Sequence, residues 1–344
     1  MSWLVSYLIN TASQITNIKI PSLSLLLIQL SANQTINDEG NAGVCGDALS
    51  WTLYSDGELV IEGSGAMTDF SSGAAPWNDL KESVTSVTFP AGLTHIGSYA
   101  FWYCSNLKTA AIPSTVTSIG QSAFSGCKNL LEVFGGANVT YIDEFAFAYC
   151  YSLSSLDLPN SLTYIGSCAF RDCAFSNVVI PESITSIEYA TFANNVYLTT
   201  VTLPGTLTDL GDFAFYGCPN LTDVYSYITD PTAWEAWDIF MLDDGEYPGR
   251  TLHVPAGTLA LYQESEMWAP YFENIVEMGD GPTPGIPGDV DGDGQVGIAD
   301  VTALIDYLLG SSDPSFIVAN ADVDGDGSIT IADVTAIIDT LLGN

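Results

Sequence analysis

Ala100-Phe101-Trp102-Tyr103-Cys104, Ala123-Phe124-Ser125-Gly126-Cys127, Ala146-Phe147-Ala148-Tyr149-Cys150, Ala169-Phe170-Arg171-Asp172-Cys173, Thr191-Phe192-Ala193-Asn194-Asn195 and Ala214-Phe215-Tyr216-Gly217-Cys218 are variations on one pentapeptide. Their phenylalanines are spaced by 23, 23, 23, 22 and 23 residues. A fixed period in this range signals a solenoid, whose units bury their apolar faces only by stacking on their neighbours. Such stacks present long binding surfaces.

Leu107 to Asn129 serves as the model unit. Leu107, Ala110 and Ile112 have L-x-x-L-x-L spacing and Pro113 follows; then come Val116, Thr117, Ile119, Gly120, Ala123, Phe124 and Cys127. The period-two stretches suit short strands with alternate side chains inward. Pro ends the first strand, and Gly120 reads as a permissive bend. Thr94, Thr117, Thr140, Thr163, Thr185 and Thr208 recur once per coil on the outer side, as β-formers on a stacked strand. Cys104, Cys127, Cys150, Cys173 and Cys218 also recur once per coil, without C-x-x-C pairing. They read as buried thiols packed as small hydrophobes. Seven cysteines, with Cys45 and Cys168 off the row, cannot all pair internally.

The motif I/L-P-x-x-[VIL]-T-x-I-G-x-x-A-F-x-x-C resembles the BspA-like leucine-rich repeats of bacterial surface and secreted proteins. The stretch from Cys45, CGDALSWTLYSDGELVIEGSGAMTDFSSGAAPW, resembles the β-rich segment before those repeats, and residues 251–277 resemble the closing unit after them. The third unit departs from the pattern, with Gly135-Gly136 in place of Pro and Asp143 in place of Gly. The resemblance implies adhesion or recognition with no fixed ligand.

Residues 289–300 read DVDGDGQVGIAD and residues 322–333 read DVDGDGSITIAD. Oxygen ligands on alternate residues, Gly at position 6, an apolar residue at 8 and a carboxylate at 12 make the calcium-loop pattern. Two Ca2+ ions are expected, on Asp289, Asp291, Asp293, Gln295 and Asp300, and on Asp322, Asp324, Asp326, Ser328 and Asp333. Gln295 and Ser328 would contribute backbone carbonyls. GPTPGIPG before Asp289 cannot be the entering helix of an EF-hand. Helices are expected after each loop, over Val301–Gly310 and Val334–Gly343, with Val301, Leu304, Ile305 and Leu308 on one apolar face. The duplicated loop-helix unit resembles a type I dockerin. That resemblance implies a cohesin domain as partner, met by loop positions 10 and 11: Ile298, Ala299, Ile331 and Ala332. The family often carries hydroxyl residues there, which leaves the cohesin type open.

The expected fold is therefore mostly β: a leucine-rich-repeat solenoid with a β-rich N-terminal segment, plus a small α-helical calcium-binding dockerin module. Residues 1–32 read as a signal peptide, 33–83 as the β-rich cap and 84–227 as the repeats. Residues 228–278 read as the closing unit, 279–288 as a Pro/Gly linker and 289–344 as the dockerin. The leader reading rests on the apolar run Ile20–Leu30 between Lys19 and Ser31-Ala32, although Leu30 is large for a cleavage position. A mature chain without a membrane span follows, secreted or held at a cell surface through the dockerin.

Forty-one acidic and six basic residues argue against nucleic acid or an anionic membrane as partner. Residues 289–344 hold eleven Asp and no Lys, Arg or Glu, so folding there should be coupled to metal. The only histidines are His95, read as a surface residue, and His253 in a strand-like TLHV segment. Nucleophile-elbow, zincin and P-loop motifs are all missing. The chain is read as non-catalytic, with a polysaccharide-active enzyme subunit of the same assembly as the alternative. The candidate ligand surface comprises Phe134 and Tyr225 on the first-strand face and Trp102, Tyr103, Tyr149 and Tyr216 near the Cys row. Two readings stand for the rings: contacts to a protein or glycan ligand, or cover for the edges of the core.

Overall fold

The computed structural model describes residues 41–156, 158–233, 236–242, 249–278, 288–291, 296–309, 317, 320–323 and 329–342. The leader over 1–32 and linker residues 279–287 lie outside the described residues.

The described chain begins with an antiparallel meander of β1 (Ala42–Gly46), β2 (Leu49–Leu53) and β3 (Glu58–Ala66). The first half of β3 pairs in parallel with Ser86–Thr88 and its second half with Gly92–Ile96. One strand thus starts both ladders of the solenoid and covers an edge that would otherwise invite strand addition.

In the first ladder, Val87 lies beside Ala110, Ala110 beside Val133 and Val133 beside Leu156. The same face resumes with Val178, Val201 and Val224, and runs into Leu252 and Ile275 of the closing unit. In the second ladder His95, Ser118, Tyr141 and Tyr164 share one register, with Ser186 and Asp209 in the corresponding later strands. The expected alternation holds: Leu107, Ile112, Val116, Ile119, Phe124 and Cys127 are all buried.

The outer threonines do more than favour strand geometry. The Thr117 hydroxyl donates to the Thr94 carbonyl, Thr140 to Thr117, Thr163 to Thr140 and Thr208 to Thr185. The backbone N–H groups of these four threonines donate to the same carbonyls. Each of these four therefore gives two donors to the coil before it.

The pentapeptide forms a third ladder with unusual backbone. Tyr99, Ser122, Phe145, Cys168, Ala190 and Phe213 have φ between 51° and 60°. Tyr103, Gly126, Tyr149, Asp172, Asn194 and Gly217, four residues further on, are left-handed as well. Non-glycine residues rarely occupy this region. In each coil the two left-handed residues and the Phe midway between them all donate to the next coil: Tyr99, Phe101 and Tyr103 to Gln121, Ala123 and Ser125, and Ser122, Phe124 and Gly126 to Glu144, Ala146 and Ala148. The hydrogen bonds between coils offset the local strain. At the start, the Trp77 indole donates to the Ala100 carbonyl across 2.7 Å.

The phenylalanines stack along the axis, from Phe101–Phe124 at 5.0 Å to Phe215–Phe240 at 5.5 Å. Trp77 packs on the first ring and Trp268 on the last, each with centroids 5.7 Å away. Arg250, fully buried, closes the far end by donating to the carbonyls of Leu221, Phe240 and Cys218.

Gly120 does not have the positive φ of a permissive bend; its role is close approach. A Cβ there would lie 2.6 Å from the Ser98 backbone nitrogen, and at Gly166 2.5 Å from the Glu144 nitrogen. In the third unit Gly135 and Gly136 do take positive φ, and the gap beside them is a cavity of ≈ 20 Å³ between Ile112, Val133 and Leu158. That is room for about one water.

After α1 (Leu259–Gln263) in the closing unit come the two module helices, α2 (Ile298–Leu308) and α3 (Ile331–Leu342). Both begin three residues earlier than their apolar periodicity suggested. Asp300 and Asp333 explain the difference, because each carboxylate accepts an N–H at the helix start, from Gly297 and Thr330 respectively. Val290, Leu304, Ala321, Val334 and Ile337 form a separate small core.

Candidate calcium loops and recognition surfaces

The first loop is tied together by Asp300. Its Oδ1 accepts from Val290 N–H at 2.8 Å and Asp291 N–H at 3.0 Å, and its Oδ2 from Gly297 N–H at 2.7 Å. The carboxylates of Asp289, Asp291 and Asp300 can each place one oxygen within 4.8 Å of the others. Asp289 and Asp300 are fully buried. Burying like charges together is costly unless a cation joins them, and residues 289–344 contain no Lys or Arg. The donor set is all hard oxygen, which fits calcium.

The second loop repeats the arrangement 33 residues on. Asp333 is buried and accepts from Val323 N–H and Thr330 N–H, both at 2.7 Å. Asp322, its first carboxylate, is described. Asp293, Gln295, Asp324, Asp326 and Ser328 lie outside the described residues. Between the loops, buried Asn320 donates to the Asp289 carbonyl at 2.7 Å and accepts from Gly288 N–H. The loop pattern gave no signal for Asn320.

Ile298 and Ala299, with Ile331 and Ala332, occupy the first turns of α2 and α3 and face solvent. Ile298 is 80% exposed and Ile331 69%. The expected apolar face of α2 divides. Leu304 is buried, whereas Ile305 and Leu308 are exposed, and Ile338 and Leu341 repeat this on α3. The small core has room for one stripe per helix, so each helix keeps a second apolar stripe outward, in line with Ile298 and Ile331.

The solenoid separates the ring residues singled out in the sequence. Phe134 is exposed on the first ladder. Tyr225 lies four coils away, about 19 Å at 4.8 Å per coil. It is half-buried, with its ring stacked on His253 at 4.2 Å, and His253 Nε2 meets Asp223 Oδ1 at 2.9 Å. Thr202, in the same outward row of the first ladder, is buried in register between the larger Val179 and Tyr225. Trp102 and Tyr103 make one edge-on cluster with Tyr99, and Lys81 Nζ sits 5.2 Å from the Trp102 ring. Tyr149 packs near exposed Tyr151. Tyr216 packs on Phe213 over the small cluster of Cys168, Ala190 and Ala193, which is the core-covering arrangement.

His95 is more than a bland surface residue. Its Nδ1 lies 2.7 Å from Ser118 Oγ and its Nε2 3.0 Å from Asp69 Oδ1. The order is that of an acyl-transfer triad with the two ring nitrogens exchanged, assembled from the cap and two coils and invisible in sequence. An acyl-transfer site also needs donors for an oxyanion. The flanking N–H groups of Thr117 and Gly120 are spent on Thr94 and Ile96 of the preceding coil. Asp69 also accepts from Ser98 N–H and Oγ–H, so the network ties the cap to the first coils.

A parallel solenoid of short repeats, followed by two carboxylate loop-helix units, defines the class of protein. The family comparisons give the same result. The model for the BspA type leucine rich repeat region matches residues 80–174 and 132–229 in six copies, and that for the dockerin type I domain matches residues 287–342. Residues 80–229 thus belong to the BspA-type leucine-rich repeats, and residues 287–342 are a type I dockerin domain. Comparison with curated proteins gave no match. Among solved structures, it is similar to a leucine-rich repeat protein from Eubacterium ventriosum, at 18% identity and TM-score 0.38 over 69% of this chain and 84% of that one. A leucine-rich repeat protein of T. pallidum is 21% identical, at TM-score 0.41 over 67% and 98%. One from Bacteroides ovatus is 19% identical, at TM-score 0.34 over 68% and 76%. Type I dockerin domains bind calcium, and a dockerin implies a cohesin partner.

Proposed function

We propose that this protein is a secreted, non-catalytic recognition or adhesion subunit. Its solenoid holds a protein or glycan, and its dockerin fixes it to a cohesin-bearing scaffold or cell surface. The observation that supports this most is the pair of loop-helix units joined to a repeat stack. Asp289, Asp291 and Asp300 would hold one calcium ion, and the equivalent residues from Asp322 to Asp333 a second. The ions supply no chemistry beyond charge: they allow buried carboxylates to converge and so position α2 and α3. Cohesin would meet the outward stripes that begin at Ile298-Ala299 and Ile331-Ala332.

The test is capture of the full chain on immobilised cohesin domains of several types, with calcium and with excess chelator. Calcium-dependent retention on at least one type is expected. Retention on none, or retention unchanged by chelator, would overturn the docking reading. A reducing-sugar assay on common polysaccharides separates the enzyme alternative, for which turnover is required.

A further inference from the structure

The repeat fixes a default residue at each surface position, so coincident departures from it are informative. Along the second ladder the outward register runs His95, Ser118, Tyr141, Tyr164, Ser186, Asp209. Two residues further on, the row runs Gly97, Gly120, Asp143, Gly166, Glu188, Gly211. Tyrosine enters the first row only in the third and fourth coils. Carboxylates replace glycine in the second row only in the third and fifth. The two sets of departures meet on one patch.

The Tyr141 and Tyr164 rings stack on each other, with centroids 4.7 Å apart and planes 14° from parallel. Tyr141 is 40% exposed. Their shared faces are closed, and only the outer faces remain, one toward Ser118 and one toward Ser186. Both flanking residues are small, so each outer face borders a slot about one coil, 4.8 Å, wide. Such a slot suits a thin cationic side chain over a ring better than a sugar ring lying flat. Carboxylates stand beside both: Asp143 Oδ1 is 3.4 Å from the Tyr141 hydroxyl, and Glu144 and Glu188 are partly exposed nearby. Burial, followed by Glu188, raises the Tyr164 phenol, and burial, followed by Asp143, raises that of Tyr141. Among the described residues no Lys or Arg pairs with these three carboxylates. Gly166 keeps the floor between the acids low, since a Cβ there would meet the Glu144 nitrogen.

We infer that this face of the solenoid docks an extended, Arg- or Lys-bearing segment of a protein partner, its cations over the outer faces of Tyr141 and Tyr164 and against Asp143, Glu144 and Glu188. The inference names a partner chemistry for the solenoid's recognition role and rests on that part of the proposed function, independently of the dockerin. Asp143 and Glu188 are two coils apart, about 9.6 Å. A polyproline II segment repeats its side chains every three residues, about 9.3 Å, so cations at i and i+3 would match.

The probe is a fluorescent (Arg-Pro-Pro)4 peptide, titrated by anisotropy into the calcium-loaded full chain. A (Glu-Pro-Pro)4 peptide and cellohexaose serve as comparison ligands. Tyr141→Ser with Tyr164→Ser, and Asp143→Gly with Glu188→Gly, restore residues that the repeat already uses at these positions. Circular dichroism and thermal melting check their folding. Salt-sensitive binding of the basic peptide is expected, weakened at least tenfold by each pair of substitutions. Glu62→Ser with Glu132→Ser, which removes equal charge elsewhere, should change it less than twofold. Equal weakening by that control, no effect of the tyrosine pair, or tyrosine-dependent binding of cellohexaose instead would each overturn the inference. A chain that still captures cohesin but fails these titrations leaves the docking reading intact.

Discussion

The Cys127 thiol donates to the carbonyl of Phe101, one coil back, across 3.1 Å. Cys150, Cys173 and Cys218 make the same bond to Phe124, Phe147 and Phe192. In the coil without a cysteine, Asn195 Nδ2 donates to Phe170 at 2.9 Å and to Phe192 at 2.8 Å. The conserved feature of the row is thus a buried donor, and sulfur is one way to supply it. Cys127→Ala should cost about 1 kcal/mol, from a small cavity and a lost thiol bond, since the Phe101 carbonyl keeps the Cys104 N–H as donor. Asn195→Ala, which takes the only such donor from the Phe170 carbonyl and one of two from Phe192, should cost more, about 2–3 kcal/mol. Urea denaturation of the full chain in calcium measures both.

The same burial governs reactivity. Desolvation pushes the Cys104 and Cys218 thiols up to about 12 and raises Cys127 and Cys173 well above their usual range. A raised folded pKa stabilises the fold at every pH below the unfolded thiol value. The contribution is lost as pH climbs from that value, near 9, toward about 12. Unfolding midpoints should therefore fall above pH 9, and less in Cys104→Ala. Native protein at pH 8 should resist iodoacetamide at these row cysteines and react fully in denaturant, as mass spectrometry would show.

Gly120→Ala should destabilise the solenoid by about 1–3 kcal/mol, because the new Cβ meets backbone that cannot move without parting two coils. Asp143→Gly, at the same repeat position, should be tolerated. Equal melting temperatures for Gly120→Ala and the parent chain would show that the coils separate more freely than the contacts suggest.

Periodicity revealed the stacked fold, the inward rows and the loop-helix module, because each depends on residues at fixed spacing. It could not reveal what closes the stack. Trp77, Trp268 and Arg250 each occur once, and single residues have no period. Nor could it show the left-handed positions, since Tyr99, Ser122, Phe145, Cys168, Ala190 and Phe213 share no side-chain chemistry. The places of Asp289, Asp291, Asp300, Asp322 and Asp333 in the loops, and of Ile298, Ala299, Ile331 and Ala332 beside them, were legible from loop spacing. The His95–Ser118–Asp69 contact and the Tyr141–Tyr164 stack arise only when coils are superposed.

Calcium removal should unfold the module and leave the solenoid folded, since their cores are separate clusters. Excess chelator should abolish most of the helical signal at 222 nm, and Asp289→Ala with Asp322→Ala should mimic it. Asp300→Ala should be more severe, because Asp300 also holds the N–H groups of Val290, Asp291 and Gly297. Restoration of its helical signal by millimolar calcium would contradict that added role.

The near-identity of the two loop-helix units predicts redundant docking. Ile298-Ala299 and Ile331-Ala332 start equivalent helices, and Thr302 and Thr335 each donate to the carbonyl four residues back at 3.1 Å. The outward stripes are therefore alike in residue type and in backbone setting. Either one could therefore be offered to a single cohesin. Ile298→Asp alone, or Ile331→Asp alone, should reduce cohesin affinity only about twofold, because one intact stripe halves the number of binding modes. The double substitution places a carboxylate on both stripes and should weaken binding at least a hundredfold, about 2.7 kcal/mol. Calorimetry with a cohesin that captures the parent chain reads all three. If one single substitution accounts for the whole loss, only one copy docks and the second stripe has another role.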